Sequence, residues 1–552
     1  MISVFLIFLY MFITAASLGG ALISLLIKKE NIRFLHPEDA VMLGLMIVTV
    51  YAQIFSLFAN VGLWANIILL GLCVVSLVAV RRKLPFKVLF SGLKKGPVIW
   101  CMLMLVIIVM VYGTSAGYMH YDSDLYHAQA IRWIEEYGVV KGLGNIHTRL
   151  AYNSSSFALA ALYSFAWISG RSYHACAGFL ALIVFVECLR IAPSIKARNL
   201  KVSDLVRAGA IYYIVNIYDE MVSPESDYFA FLMLFYITIR MVDLALEHCE
   251  DADIYAIFAL IAICMATIKL SVAFAVLVCA VPILLLVKKK RYKKLLVYVS
   301  IGVITALPFF IRGVMLSGYL LFPSTMLNFF NVDWKVHEHM AKIDSDLIIA
   351  YGRGYESIEG AEYPFKIWFA NWILKLGMFD KVLLLASILG IVYFFVSMDV
   401  RKKETVLHIV EFSLIVIFAS WFLSAPLIRY AQGIMICFVS LMIGDVLGVL
   451  THKENKVSKA LAIGATVFTI LIFAYKVVFL AGYICTSKLW KEYAINQQDY
   501  TSYEMISYEL DGITFYTPTE TDLTGYDPFP AVPYRNDTIK LRGESLKDGF
   551  RY

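Results

Sequence analysis

Apolar runs near the length of a membrane span recur from the first residue to about residue 484 of this 552-residue chain. A helical span needs roughly 20 apolar residues. A single soluble core stops growing near about 250–300 residues, so so many long apolar runs cannot all be buried in one. Hydrophobic residues make up 60% of the chain and charged ones 16%, against about 25% charged in a soluble domain. The chain therefore reads as an all-α integral membrane protein, a polytopic helical bundle.

The net charge of +6 does not indicate a nucleic-acid partner. Lys and Arg sit in short clusters between apolar runs, where cytoplasmic loops carry them, and no extended basic face remains for nucleic acid. The nine cysteines have no C-x-x-C spacing and read as small buried hydrophobes. The first run, residues 2–27, is too long for a standard signal peptide and reads as a retained span. Lys28, Lys29 and Arg33 place the next loop inside. Arg81, Arg82 and Lys83 follow a hairpin of spans, also inside. Lys196, Arg198, Lys201 and Arg207, then residues 288–294, then Arg401, Lys402 and Lys403, then Lys453, Lys456 and Lys459 fall on the same side. This parity holds with about 14 spans, both ends outside, and with residues 154–169 as a re-entrant or surface-lying helix. Three units result: an N-terminal module of three spans over 1–97, a core over 98–484 with outer loops at 118–150 and 312–364, and a polar outer tail over 485–552, read as a small ordered cap.

Polar residues that interrupt the apolar runs gather on the outer face. The segment Tyr121-Asp122-Ser123-Asp124-Leu125-Tyr126-His127 follows directly on a span. Asp122 and Asp124 can converge on one divalent cation or one sugar, or divide into a base and a binder. Asp in the first turn of a solvated helix at about 124–137 is the structural alternative. The segment 142–150 carries two glycines of a tight loop, then His147 and Arg149 alternating on an extended stretch, with an Arg fork suited to phosphate. Asp227 starts a helix after Ser223-Pro224-Glu225-Ser226 and serves either as an N-cap or as a site residue. Lys269 interrupts about 35 otherwise apolar residues and needs either an outer turn or a partner in a cavity. Arg312, Tyr319 in Ser317-Gly318-Tyr319, and Arg429-Tyr430 mark further outer span ends. His337, Glu338 and His339 read as a solvated loop, and the N-x-S/T triplets at Asn153 and Asn536 as chance.

An acidic pair just after a span, short amphipathic helices and basic residues on the outer face resemble the GT-C superfamily of membrane glycosyltransferases. More narrowly, D-S-D-L-Y-H at 122–127, G-L-G-N-I-H-T-R-L at 142–150, S-P-E-S-D at 223–227, I-K-L-S at 268–271, S-G-Y-L-L-F-P-S at 317–324 and L-R-G-E-S-L-K-D-G-F at 541–550 resemble a bacterial polytopic group associated with surface-polysaccharide biosynthesis. The resemblance implies a transferase in the bacterial cytoplasmic membrane with an outward-facing site. The donor would be a polyprenyl-phosphate- or diphosphate-linked sugar, the acceptor a lipid-linked or cell-surface glycan. Asp122 and Asp124 would match the acidic loop, as base or as ligands of a divalent cation. His127, His147, Arg149, Asp227, Lys269, Arg312, Tyr319, Arg429 and Tyr430 are candidates for substrate binding. GT-C chains usually place one span before the acidic loop, whereas this chain has four. A polysaccharide polymerase or ligase built on His147, Arg149 and Arg429, and a transporter or flippase of lipid-linked sugars, are the alternatives.

Overall fold

The computed structural model describes residues 1–80, 97–197, 199–398, 404–451, 456–486 and 489–552. Arg81, Arg82, Lys83, Arg198, Arg401, Lys402, Lys403 and Lys453 lie outside them. Among the described residues, helices dominate up to Glu492 and strands occur only after Tyr503. Among the described residues, nine helices are long and apolar enough to cross a membrane: Ile2–Leu26, Pro37–Ser56, Leu63–Val80, Cys176–Ala197, Ser226–Leu246, Leu270–Lys288, Tyr292–Ser317, Met378–Ser397 and Thr405–Ser424. Shorter apolar helices include Ala252–Ile268 and Gln432–Gly448. The protein is a polytopic helical membrane protein.

Small residues let the first two helices meet. A Cβ on Gly19 would lie 1.8 Å from the Ala40 carbonyl oxygen, and one on Gly44 would lie 1.8 Å from that of Ala15. Ala15 with Gly19 and Ala40 with Gly44 are thus paired small-x-x-x-small contacts, the usual route to close approach of helices in lipid. The expected re-entrant stretch holds a helix of only nine residues, Ser155–Tyr163. At about 1.5 Å per residue it cannot cross a bilayer. It is buried along its whole length rather than lying on a surface.

Charge also enters the interior. Arg240 and Asp39, both fully buried, form a two-pronged pair, Nε to Oδ1 and Nη2 to Oδ2, each at 2.9 Å. Arg207 bonds Asp204 and Glu187 at 3.0 Å each and also Asp243. Arg190 reaches Glu38 at 2.9 Å and Glu187 at 3.0 Å. Every charge here has an opposite neighbour, which a buried ion needs in order to be tolerated.

The tail is a β cap. Strands Met505–Leu510 and Ile513–Pro518 form an antiparallel hairpin, and Lys540–Leu541 pairs antiparallel with Phe550–Arg551. The cap grips the short helix Ala128–Glu136. The buried Gln129 amide donates to the carbonyls of Gly525, Tyr526 and Pro528 at 3.1–3.2 Å and accepts from the Ala531 N–H at 3.1 Å. Arg132 donates to the Tyr526 carbonyl at 2.6 Å, and the Tyr526 hydroxyl donates to Glu135 at 2.7 Å. The stretch 541–550 docks through the Phe550 N–H on the Lys141 carbonyl at 2.9 Å.

Candidate functional site

The helix Pro97–Ser115 ends in an extended stretch stitched to the 219–223 turn. Tyr118 N–H donates to the Asp219 carbonyl and His120 N–H to the Ser223 hydroxyl, both at 2.7 Å. The chain then enters one π turn, Ser123–His127, before the helix Ala128–Glu136. Such turns are uncommon and recur at functional sites. Asp122 immediately precedes this turn, its carboxylate left free of any capping bond, while Arg429 lies in the turn Ile428–Tyr430 and Arg149 in the turn Thr148–Ala151. Two indoles fix the Arg429 turn: Trp372 donates to the Pro426 carbonyl at 2.6 Å and Trp421 to that of Leu427 at 2.9 Å. His147 and Arg149 do not alternate on an extended strand. Gly142 at φ +67° starts one tight turn, its N–H donating to the Met315 carbonyl at 2.8 Å, and the Leu150 N–H returns to the His147 carbonyl at 3.0 Å.

Asp122 bridges two guanidinium groups. Its Oδ2 lies 2.6 Å from Arg429 Nη2 and its Oδ1 3.5 Å from Arg149 Nη1. Burial alone would raise the Asp122 carboxyl, but Arg429, His127 and His120 outweigh it and hold it down at about 2. Burial likewise opposes charge on Arg429, while Glu225, Asp122 and Asp227 keep it firmly protonated. Arg429 also contacts the His120 ring and lies 3.8 Å from Asp227. Asp227 in turn pairs with Lys269, whose ammonium stands 4.3 Å over the Tyr430 ring. Lys269 reaches this place because the helix Ala252–Ile268 stops at it in an extended conformation. Behind it, Glu225 is 3.3 Å from His120 and 4.0 Å from the fully buried His127.

These groups head a cavity of about 910 Å³. Asp122, His147, Arg149, Arg429 and Tyr430 all line it. One wall is apolar: Met340, Ile343, Leu347, Ile348 and Tyr351 from the helix Glu338–Gly352. That spacing is one face of a helix. Asp344 on the same helix accepts from Thr148 at 3.0 Å and Tyr152 at 2.5 Å. Burial raises its carboxyl, against those hydrogen bonds and Arg149. Burial and then Arg149 lower the His147 imidazole to about 3, so it stands neutral in the wall. Tyr534, Arg535 and Asn536 of the β cap complete the rim.

Other expected residues lie elsewhere. Asp124 is not in the cavity; it accepts from the Tyr503 hydroxyl at 2.9 Å, and its carbonyl accepts from the N–H groups of Thr524 and Gly525. Residues two apart on a helical turn face different sides, so the two carboxylates do not converge. His127 packs behind the site against Tyr126 and Phe157. Arg312 belongs to the helix Tyr292–Ser317, not to the following loop. It bonds Asn153 at 3.0 Å and Ser56, behind the cavity wall. Tyr319 is fully buried and donates to the Val336 carbonyl at 3.1 Å.

A divalent cation at Asp122 and Asp124 does not fit this geometry. Among the described residues, His120, Asp122 and Glu225 instead bring one ligand atom each to within 4.8 Å of one another, as do His36, Glu38 and Glu187. Arg429 already fills the first group with positive charge.

The protein family described as Domain of unknown function (DUF8201) matches residues 1–436. The chain belongs to this family. No curated protein and no solved structure matches it. The DUF8201 region contains the whole charged head of the cavity and its apolar wall, whereas Tyr534, Arg535 and Asn536 lie beyond it. Sequence reasoning missed His120 and Glu225 in this DUF8201 protein, although both sit inside or beside motifs it quoted. It also missed the 338–352 wall, whose alternating charges masked its apolar face.

Proposed function

We propose that this DUF8201 protein is a glycosyltransferase acting on a polyprenyl-phosphate- or diphosphate-linked sugar at the outer face of a bacterial cytoplasmic membrane, with a lipid-linked or surface glycan as acceptor. The observation that carries the reading is a single cavity with two arginines and a carboxylate at its head and an apolar helix face along its side. A lipid-phosphate sugar needs both surfaces. Arg149 and Arg429 present forked donors for phosphate oxygens. The wall of Ile343, Leu347 and Tyr351 suits the first isoprene units.

In the reaction the acceptor hydroxyl oxygen attacks the anomeric carbon, and the bond from that carbon to the phosphate oxygen breaks. The departing phosphate takes the electron pair, and the arginines stabilise it. Asp122 receives the hydroxyl proton. Paired with Arg429, the Asp122 carboxylate has its pKa held at about 2 and is a weak base, so it gains strength when the phosphate draws Arg429 away from it. Arg429 and the His120, Asp122 and Glu225 group compete for the same place, so transfer is expected to proceed in chelator.

The test is transfer of labelled sugar from synthetic polyprenyl-phosphate donors to membrane glycan extracts. Wild type should transfer, and Asp122→Asn should not, while Asp124→Asn keeps the chemistry if its cap contacts hold. Equal turnover by Asp122→Asn removes the base. A second reading, a polymerase or ligase, is favoured by the neutral His147 in the cavity wall, whose Nε2 has no hydrogen-bond partner. Transfer only from oligosaccharide-diphosphate lipids, lost in His147→Gln, would select it.

A further inference from the structure

The cations that line the cavity are already spoken for. Arg149 and Arg429 share Asp122, and Arg535 at the rim pairs with Asp537 at 2.6 Å. Just behind, Lys269 is held by Asp227. Among the described residues, each of these cations has a carboxylate within 4 Å, so an incoming anion meets no free positive charge. It can bind tightly only by displacing a carboxylate. Asp227 and Glu225 are almost wholly buried, at 1% and 2% exposure, and do not line the cavity. Asp122 does line it, with 14% of its side chain exposed. Asp344 is held by Thr148 and Tyr152; Arg149 acts on it only from beyond ion-pair distance.

We propose that Asp122 is a built-in counter-ion that occupies a phosphate-class anion site formed by Arg149 and Arg429, and that ligand binding opens the Asp122–Arg429 pair. The inference rests on the preceding reading for the identity of the ligand. The anion replaces one carboxylate by another set of oxygens on the same two guanidinium forks. No covalent change is involved. Tyr126, Tyr430, His120 and His127 face the same charges and stay in place. The apolar wall lies beside the site, so a phosphate attached to a prenyl chain engages both surfaces and a free phosphate only one.

The experiment measures binding of inorganic pyrophosphate and of a short-chain prenyl phosphate to the full chain in detergent, by titration calorimetry. Asp122→Asn, which keeps the shape and removes the charge, is expected to bind either probe at least about tenfold more tightly than wild type, because a competing negative charge at contact distance has gone. Asp122→Ser is read alongside it, and the result is taken from whichever variant melts like wild type. Adding Arg149→Gln and Arg429→Gln to that variant should abolish the gain. Unchanged or weaker binding in a folded Asp122 variant overturns the proposal, as does a gain that survives loss of both arginines. A much larger affinity for the prenyl phosphate assigns the site to a lipid anion, and equal affinities assign it to a free one. Tighter binding without any sugar transfer by wild type would sink the transferase reading and leave this one standing. Transfer lost in Asp122→Asn without tighter binding would do the reverse.

Discussion

Arg429 touches Asp122, His120 and, at longer range, Asp227, so its guanidinium plane is what keeps the cavity head ordered. Lysine carries the same charge but cannot serve these directions together. Arg429→Lys should lower transfer by roughly 10- to 100-fold, the cost of about one charge-assisted hydrogen bond, with the fold intact by circular dichroism. The buried histidines make a separate prediction. Burial lowers His127, His147 and His174 each to about 3, while an unfolded His titrates near about 6.5. The unfolded chain therefore takes up protons first as pH falls, and the native state loses stability from about pH 6.5 downward. Melting temperature in detergent should be flat above that pH and fall steadily below it. His147→Gln should make the fall shallower. An unchanged slope in that variant would show that His147 is open to protons in the native state.

At the scale of the element, the helix Glu338–Gly352 has a role that its composition hides. His337, Glu338 and His339 at its start read as a solvated loop, yet Ile343 and Leu347 further along line the cavity. A polar, uncharged side chain on that face should disfavour a lipid tail and leave the arginines in place. Leu347→Asn should weaken prenyl phosphate binding by about tenfold or more, since burying a Leu side chain is worth about 1.5–3 kcal/mol, and leave pyrophosphate binding unchanged. Equal loss for both probes would mean that the helix shapes the head and not the tail of the site. Much of the cavity was legible beforehand: Asp122, His147, Arg149, Arg429 and Tyr430 stood out because they interrupt apolar runs, and all five line it. The i, i+2 spacing of Asp122 and Asp124 misled because it was read without direction. The π turn sends the second carboxylate to the cap. Arg312 was legible as an anomaly but not as a helix residue, since its partners Asn153 and Ser56 are far away in sequence.

For the whole molecule, apolar runs announced the helical bundle, and the cap was legible only as a change of composition. Its grip on Gln129 arises from contacts almost 400 residues apart, which no local pattern records, whereas its first hairpin closes locally on Asp511-Gly512. The buried pairs around Arg240, Arg207 and Glu187 escaped for the same reason: single charges scattered over several helices become a network only after packing. Gln129→Leu keeps the volume and removes both polar ends of the amide, leaving three cap backbone groups, the Gly525 and Pro528 carbonyls and the Ala531 N–H, without that partner, while Arg132 still serves the Tyr526 carbonyl. At about 1–3 kcal/mol per buried orphan, the cap should loosen as a unit. Limited proteolysis should then release fragments from residues 497–552 while the membrane core stays resistant. Protection equal to wild type would mean that Arg132 and Tyr526 suffice to hold it.

That grip also orders events in time. Residues 120–149 leave the ribosome long before residues 524–536, and the later segment both braces the acidic turn and closes the cavity rim. During synthesis the two arginines and their carboxylate therefore belong to an unfinished chamber, whose rim is complete only once the tail folds back on it.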